Sequence, residues 1–359
     1  AVEPLPRPAV NRVTIDMVSV GNMGNAGDTT GLPNPCGAVA HKYRIGTYEV
    51  TAGQYTEFLK AVAATDTHAL YSIFMFVDAA GCKIQQSGSS GNYTYSVPSD
   101  YADRPVNNVS WGDAARFVNW LHNGQPTGAQ DASTTEDGAY TLNGAITDAG
   151  LAAVTRNVAA TWWIPSENEW YKAAYHKNDG GTGNYWDYPT GTDSDSGRDL
   201  TEITNPGNNA NYYAASPYPI DGTYYTTEKG EFELSDSPYG TFDQGGNVWE
   251  WTEASNPSLR IRRGSGFGSP TISDMSVIKR VESPPLLQQN DMGFRVAAPL
   301  PPPTGNPGAM ALVTVGNPGN AADNTTYGAV AYEYRISTYE VTAGQYTDFL
   351  NAVGATDTY

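Results

Sequence analysis

The amino-acid sequence predicts an α+β fold in which short strands and a few capped helices are joined by long irregular loops. Three observations carry that expectation. Apolar residues alternate with polar ones only in short runs, such as "IDMVSVGN" from Ile15 and "GGNVWEWTEA" from Gly245. Helix-start signals stand at Thr51, Ser110 and Ser166, each followed by an apolar stripe of helical spacing. Residues 177–246 show almost no periodicity yet are rich in Tyr and Trp, a composition that argues against disorder.

Taken in order, "AVEPLPRPAVNRVT" (1–14) is Pro-rich and reads as extended linker. "IDMVSVGN" and "AVAHKYRIGTYEV" read as the first two strands. Thr51 with Gln54 forms a capping box for a helix whose buried stripe is Tyr55, Phe58, Leu59 and Val62. A polar stretch near 80–104 reads as loop. Ser110 then caps a second helix with Ala114, Phe117, Val118 and Leu121 inward and Gly124 just past its end. Ser166 and Glu169 cap a third, which buries Trp170, Ala173 and Ala174. The carboxylates Glu167 and Glu169 suit the dipole at that helix start. "GGNVWEWTEA", "RIRRGSGF" and "MGFRVAA" read as the closing strands, and "PLPPPTGNPG" as a second linker, 299–311.

Charge and composition exclude several classes of function. The chain carries 20 basic against 38 acidic residues, a formal charge of −18, with no acidic tail. That field opposes nucleic acid and anionic membranes and favours cations. Only 16% of residues are charged, while Gly, Tyr and Pro number 38, 24 and 24. This is the balance of a loop-rich module held by side-chain hydrogen bonds and ions rather than of a helical cytosolic enzyme. No run of about 18 apolar residues is present. The chain opens at Ala1 without a charged-then-apolar leader, which is expected of a secreted protein whose signal has been removed. Cys36 and Cys82 are either an extracellular disulfide, worth about 3–4 kcal/mol by loop closure, or two separate buried thiols. The histidines, His41, His68, His122 and His176, lack ligand-like spacing for zinc.

The sequence restates itself near its end. Residues 43–68 and 334–359 match without a gap at 21 of 26 positions, differing only at Gly46/Ser337, Glu57/Asp348, Lys60/Asn351, Ala63/Gly354 and His68/Tyr359. Residues 312–359 therefore read as the N-terminal fragment of a second copy, two strands and the first helix, following a first domain at 15–298.

"YEVTAGQYTEF", "RPVNNVSWGDAARFVNWL", "WIPSENEWYKAA", "YGTFDQGGNVWEW" and "GFRVA" occur in that order and at suitable spacing over 15–298. This set resembles the formylglycine-generating enzyme (sulfatase-modifying factor) family. The resemblance implies an irregular C-type-lectin-like domain with a small twisted antiparallel sheet, few helices and ion-stabilised loops. It also implies copper-dependent oxidation of a substrate cysteine, with copper held by two cysteines five residues apart. Those positions fall at about Ile272 and Val277, and no cysteine follows Cys82. Soft-ligand copper binding is therefore not expected. The usual Gly-Gly-Ser-Trp is replaced by Gly264, Ser265, Gly266 and Phe267. The fold is expected without the oxidase chemistry.

The same resemblance implies two structural calcium sites. One takes the side chains of Asp243 and Glu250 with the carbonyls of Gly246 and Val248. The other takes the side chains of Asn211 and Asp221 with the carbonyls of Tyr212 and Thr223. Hard oxygens of this kind, completed by water, suit calcium. The alternative is structural: Asp243 caps a turn, Glu250 pairs with an arginine such as Arg263, and Asn211 sits in an Asx-turn. Asp193 and Asp195 lack the Gly and distal Glu of an EF-hand and read as a solvated loop.

The expected function is that of a secreted, calcium-stabilised, non-enzymatic module. Its partners would be copies of itself in a head-to-tail filament or tandem surface array. The alternative is a cell-surface module that binds a glycan or protein through 269–289, where Ile272, Met275, Ile278, Leu286 and Leu287 favour a protein contact; an enzyme of altered chemistry is the least favoured reading.

Overall fold

In the computed structural model, the three helices with capping signals begin where the caps stand. Described residues are 11–201, 203–204, 206–213, 219–300, 312–338 and 340–353. Most of both Pro-rich linkers lies outside them. Contacts divide the chain into two units, Ala1–Pro299 and Leu300–Tyr359.

In the first unit, strands β1 (Met17–Val20) and β2 (Tyr43–Gly46) precede helix α1 (Ala52–Val62). Short helix α2 (Phe74–Val77), hairpin β3 (Gln85–Ser87) and β4 (Thr94–Ser96), and helix α3 (Ser99–Ala102) follow. Helices α4 (Trp111–His122), α5 (Asp148–Ala152) and α6 (Glu167–Tyr175) come next. Strands β5 (Trp249–Asn256), β6 (Leu259–Arg263), β7 (Val281–Ser283), β8 (Met292–Gly293) and β9 (Ala297–Ala298) close the unit. The chain is α+β, with no helix or strand among the described residues between α6 and β5.

Reciprocal capping explains the helix starts. Gln54 N–H donates to Thr51 Oγ1 (3.2 Å) and Thr51 N–H to Gln54 Oε1 (2.9 Å). Ser110 with Asp113 and Ser166 with Glu169 repeat the pattern. Helices α1 and α4 pack through Phe58, whose ring lies 5.4 Å from Phe117 and 5.3 Å from Trp120. Around this contact the main core gathers residues from both sheets, including Ile45 and Trp251, together with Phe294 from the segment between β8 and β9.

Two sheets flank that core. One has the order β1-β2-β9; the other has the order β7-β6-β5-β8. The second differs from an all-antiparallel arrangement in one pair, because β5 and β8 run parallel, Trp249 facing Met292 and Glu250 facing Gly293. The long excursion between β6 and β8 brings the chain back in the direction of β5, which makes that pairing possible. The expected strand "MGFRVAA" is in fact two: β8 pairs with β5, and β9 pairs with β2 through Arg44–Ala298 and Ile45–Ala297. Residues 294–296 cross between the sheets, and the side chain of Arg295 is completely buried in that crossing.

The second unit holds β10 (Leu312–Val315), β11 (Tyr334–Ser337) and α7 (Ala343–Val353). β10 pairs with β11 as Leu312–Ser337 to Val315–Tyr334, the register of Met17–Gly46 to Val20–Tyr43 in the first unit. Thr342 and Gln345 repeat the capping contacts, at 3.2 and 2.9 Å.

Candidate functional site

The segment that leads from the irregular region into β5 combines left-handed backbone with the buried polar residues Asn247 and Glu250. Three of its residues, Asp243, Gly246 and Asn247, have φ of +59°, +86° and +58°. This left-handed backbone doubles the chain back before it enters the sheet. Gly246 N–H donates to Gly264 O (2.7 Å), and Asn247 N–H donates to Asn211 O (2.8 Å). The bridge between Asn211 and Gly246 brings one residue of each predicted ion-ligand set together.

Within the first set, Glu250 is fully buried and held by Arg295 in a two-pronged pair. Arg295 Nε donates to Glu250 Oε2 at 2.6 Å, and Arg295 Nη2 donates to Oε1 at 2.7 Å. Trp170 Nε1 adds a third bond to Oε2 at 2.8 Å. Arg295 also donates to the carbonyls of Gly46 (2.9 Å), Thr47 (3.2 Å) and Phe242 (2.8 Å). Arg263, the residue opposite Glu250 across the β5–β6 ladder, sends its guanidinium to Glu167 instead, at 2.9 Å. Asp243 accepts one bond, from Gly230 N–H (2.8 Å). Burial pushes its carboxyl up to about 6, and Glu250 adds to the push while the Gly230 N–H and Arg295 oppose it.

A third acid belongs to this group. Glu49 is buried, its Oε1 has no hydrogen-bond partner among the described residues, and burial followed by repulsion from Asp243 raises its pKa. Phe242 N–H donates to Thr47 O (2.8 Å) and Val50 N–H to Phe294 O (2.9 Å), which ties the segment carrying Glu49 to the chain neighbours of Asp243 and Arg295. Glu250 takes the Arg295 guanidinium, while Asp243 and Glu49 make no ion pair with it, so this buried group has a surplus of carboxyl groups over cations and one unsatisfied oxygen. That surplus fits a hard cation. A carboxylate lodged between Tyr48 and Val50 ahead of a capped helix was the available sequence signal for Glu49.

The second set is less gathered. Asn211 is buried, and its Nδ2 donates to Tyr225 O (2.9 Å) and Asn247 Oδ1 (3.3 Å). Tyr212 is buried, its hydroxyl donating to Ser196 O at 2.8 Å. Asp221 and Thr223 are exposed, and Asp221 Oδ1 accepts the N–H groups of Thr223 (2.8 Å) and Tyr224 (2.5 Å) in an Asx-turn. Among the described residues, no three His, Cys, Asp or Glu side chains cluster as metal ligands. Any calcium at 243–250 would therefore draw on the carbonyls of Gly246 and Val248 as well as on side chains.

The two positions to which the resemblance assigns copper-holding cysteines carry aliphatic side chains, Ile272 and Val277. Ile272 opens a single 3₁₀ turn, Ile272–Met275. Val277 is buried among Cys36, Trp170, Tyr171, Ala174 and Tyr175. This loop is anchored by arginines: Arg263 donates to Lys279 O (2.9 Å), and both Arg263 and Arg280 bond Glu167 (2.9 and 3.0 Å). Met275 is likewise buried, so of the apolar residues expected to form a contact face at 269–289, Ile278 and Leu286 are the exposed ones.

Cys36 and Cys82 are free thiols in separate core clusters, which removes the disulfide alternative. Burial pushes Cys36 up to about 12 and Cys82 up to about 11. Neither offers a thiolate at neutral pH. Both are therefore expected to resist a maleimide reagent in the native protein and to label fully in denaturant, as followed by intact mass.

No helix of the described residues is long and apolar enough to cross a membrane. Among solved structures, CarF is similar at 21% identity over 80% of this chain and 99% of its own, with a TM-score of 0.50. Variable protein 1 of Treponema denticola is 20% identical over 82% of this chain and 99% of its own, with a TM-score of 0.46. PvdO from Pseudomonas aeruginosa is 19% identical over 79% and 92%, with a TM-score of 0.41. No curated protein matches the chain. Residues 9–300 match the sulfatase-modifying factor enzyme 1-like domain, and the chain belongs to that family.

Proposed function

We propose that this chain is a non-catalytic, secreted structural module of the family, stabilised by calcium and built into a head-to-tail filament or tandem surface array through the partial repeat at 312–359. The observation that carries the non-catalytic part is the apolar, arginine-anchored loop around Ile272 and Val277, with both cysteines buried as thiols. Copper chemistry of the family's kind needs two thiolates at one metal. The test is to incubate the chain with Cu(I), oxygen and a cysteine-containing peptide and to look for an aldehyde by mass spectrometry. No aldehyde is expected, and its appearance would overturn the reading. Negative-stain electron microscopy tests the assembly, filaments or linear arrays being expected and isolated particles at all concentrations opposing it.

Calcium is proposed at the 243–250 turn, held by Asp243 and the carbonyls of Gly246 and Val248, with Glu250 fixed beside it by Arg295. The second site, with Asn211 and Asp221 as side-chain ligands and the Tyr212 and Thr223 carbonyls, is proposed only for a loop that closes further on the ion. The pH dependence supplies a check. Asp243 and Glu49 have folded pKa values raised above their unfolded ones, so the native state holds more protons than the unfolded state above pH 4. Stability of the calcium-free protein should therefore fall as pH rises from about 4 through 6. Calcium at millimolar concentration should restore the melting temperature at pH 7 and do little at pH 4.5. An unchanged melting temperature at pH 7 with calcium and with EGTA would remove the ion from the proposal.

A further inference from the structure

Seven residues that are buried in the first unit reappear unchanged at 334–353, and the six whose side chains are described there face outward. Tyr43, Ile45, Val50, Tyr55, Phe58, Leu59 and Val62 are all part of the main core. Their counterparts are Tyr334, Ile336, Val341, Tyr346, Phe349, Leu350 and Val353. Phe58 is 0% exposed and Phe349 is 55%; Tyr55 is 0% and Tyr346 is 56%; Leu59 is 0% and Leu350 is 44%. A two-stranded hairpin and one amphipathic helix cannot bury such a face by themselves.

The first unit shows what covers this face. Tyr55 Oη donates to Leu70 O at 2.9 Å. Phe58 rests on Phe117 and Trp120 of α4. Tyr43 Oη donates to Glu169 O of α6 at 2.5 Å. Val50 N–H donates to Phe294 O (2.9 Å), Ala52 N–H donates to Arg104 O (2.8 Å), and β2 takes β9 as its third strand. Every one of these covering groups lies between residues 69 and 298. The repeat retains the knobs and the outer edge of β11, while the surfaces they fit belong to the part of the fold that follows the repeated segment.

None of the differences between the copies falls on those seven residues. Glu57/Asp348 and Lys60/Asn351 alter a partly exposed ion pair in the first unit, Lys60 Nζ to Glu57 Oε1 at 2.6 Å, and the bond that Glu57 Oε2 accepts from Asn11 N–H at 2.8 Å. Ala63/Gly354 removes a methyl group, whereas a Cβ at Gly46 would stand 2.8 Å from Tyr48 O, so the serine of Gly46/Ser337 fits that site only with a local backbone shift.

We propose that the apolar face of 334–353 is a docking surface whose occupant is the complementary part of a second copy of this same domain, the equivalent of residues 69–298. The claim rests on the assembly reading above and does not involve the copper-loop argument, so loss of either leaves the other standing. Exchange with an already complete domain would displace that domain's own tethered and nearly identical segment. Occupancy by a complement that lacks such a segment is therefore the favourable case.

The test appends residues 69–298 of the chain directly after Tyr359 and measures amide hydrogen exchange peptide by peptide. Amides of Tyr334–Ser337 and Ala343–Val353 should slow at least about 100-fold relative to the unextended chain, toward the rates of Tyr43–Gly46 and Ala52–Val62. Phe349→Asp in the extended chain should abolish that gain and leave the melting of the first unit unchanged. Slow amides in the unextended chain that appear only as it self-associates, followed by sedimentation velocity, would also support the proposal, with the complement supplied by another chain. Two results would overturn it. One is fast exchange at 343–353 although the appended segment unfolds cooperatively in its own transition; the other is slow exchange there in an unextended chain that is monomeric.

Discussion

Replacing Arg295 with Met is expected to destabilise the first unit by about 3–5 kcal/mol, the range for removing one partner of a buried ion pair. The guanidinium neutralises the completely buried Glu250 through two short bonds and donates to three backbone carbonyls, those of Gly46, Thr47 and Phe242. Without it, Glu250 is left as a buried charge beside Asp243 and Glu49, and the crossing between β8 and β9 loses its anchor. Urea unfolding at pH 7, followed by tryptophan fluorescence, measures the cost. Arg295→Met combined with Glu250→Gln should recover a substantial share of the loss, because it removes the stranded charge together with its partner. Arg295→Lys should fall between, since an ammonium keeps the charge but not the planar fork. A single-variant cost below about 1 kcal/mol would place this pair in the class of weak surface bridges and refute the account of the junction.

What could be read from the sequence divides along the range of the interactions involved. Thr51/Gln54, Ser110/Asp113 and Ser166/Glu169 satisfy orphan N–H groups three residues away, so each helix start stands in the local pattern and in the structure alike. The hairpin β3–β4 carries exposed polar residues on three-residue strands, Gln85–Ser87 and Thr94–Ser96, and gave no period to read. Helix α5 is only five residues long and equally silent. "MGFRVAA" has the composition of one strand, and its division between two sheets follows from which neighbours the fold delivers to each end. The same holds for the candidate site. An arginine partner for Glu250 was foreseeable, but ladder proximity favours Arg263, whereas the residue that pairs is Arg295, 45 positions away in sequence. Arg263 is drawn off by Glu167 at the start of α6. Glu49 entered the cluster only through packing of 47–50 against 242 and 294.

Gly246→Ala is the second change expected to have a large effect, because two independent costs coincide there. The φ of +86° lies in the left-handed region, where a side chain costs roughly 1–2 kcal/mol. In addition, a Cβ at this position would stand 2.4 Å from Asn211 O and 2.8 Å from Asn211 C, atoms of a backbone that cannot swing aside as a flexible side chain would. Relief requires breaking the bridge between Asn211 and Gly246, together with the Asn247 N–H to Asn211 O bond that ties the irregular region to the start of β5. Gly222 is the control: its φ is +78°, but a Cβ there meets nothing within 4 Å, so Gly222→Ala should register the backbone cost alone. Limited proteolysis separates the two, with Gly246→Ala expected to open 206–213 to cleavage while Gly222→Ala leaves its rate near that of the parent. If calcium sits at the 243–250 turn, Gly246→Ala should also abolish the calcium-dependent gain in melting temperature at pH 7, because the displaced carbonyl of residue 246 is one of the proposed ligands. Equal behaviour of the two variants in both measurements would mean that the contact between Asn211 and Gly246 does not hold the irregular region in place.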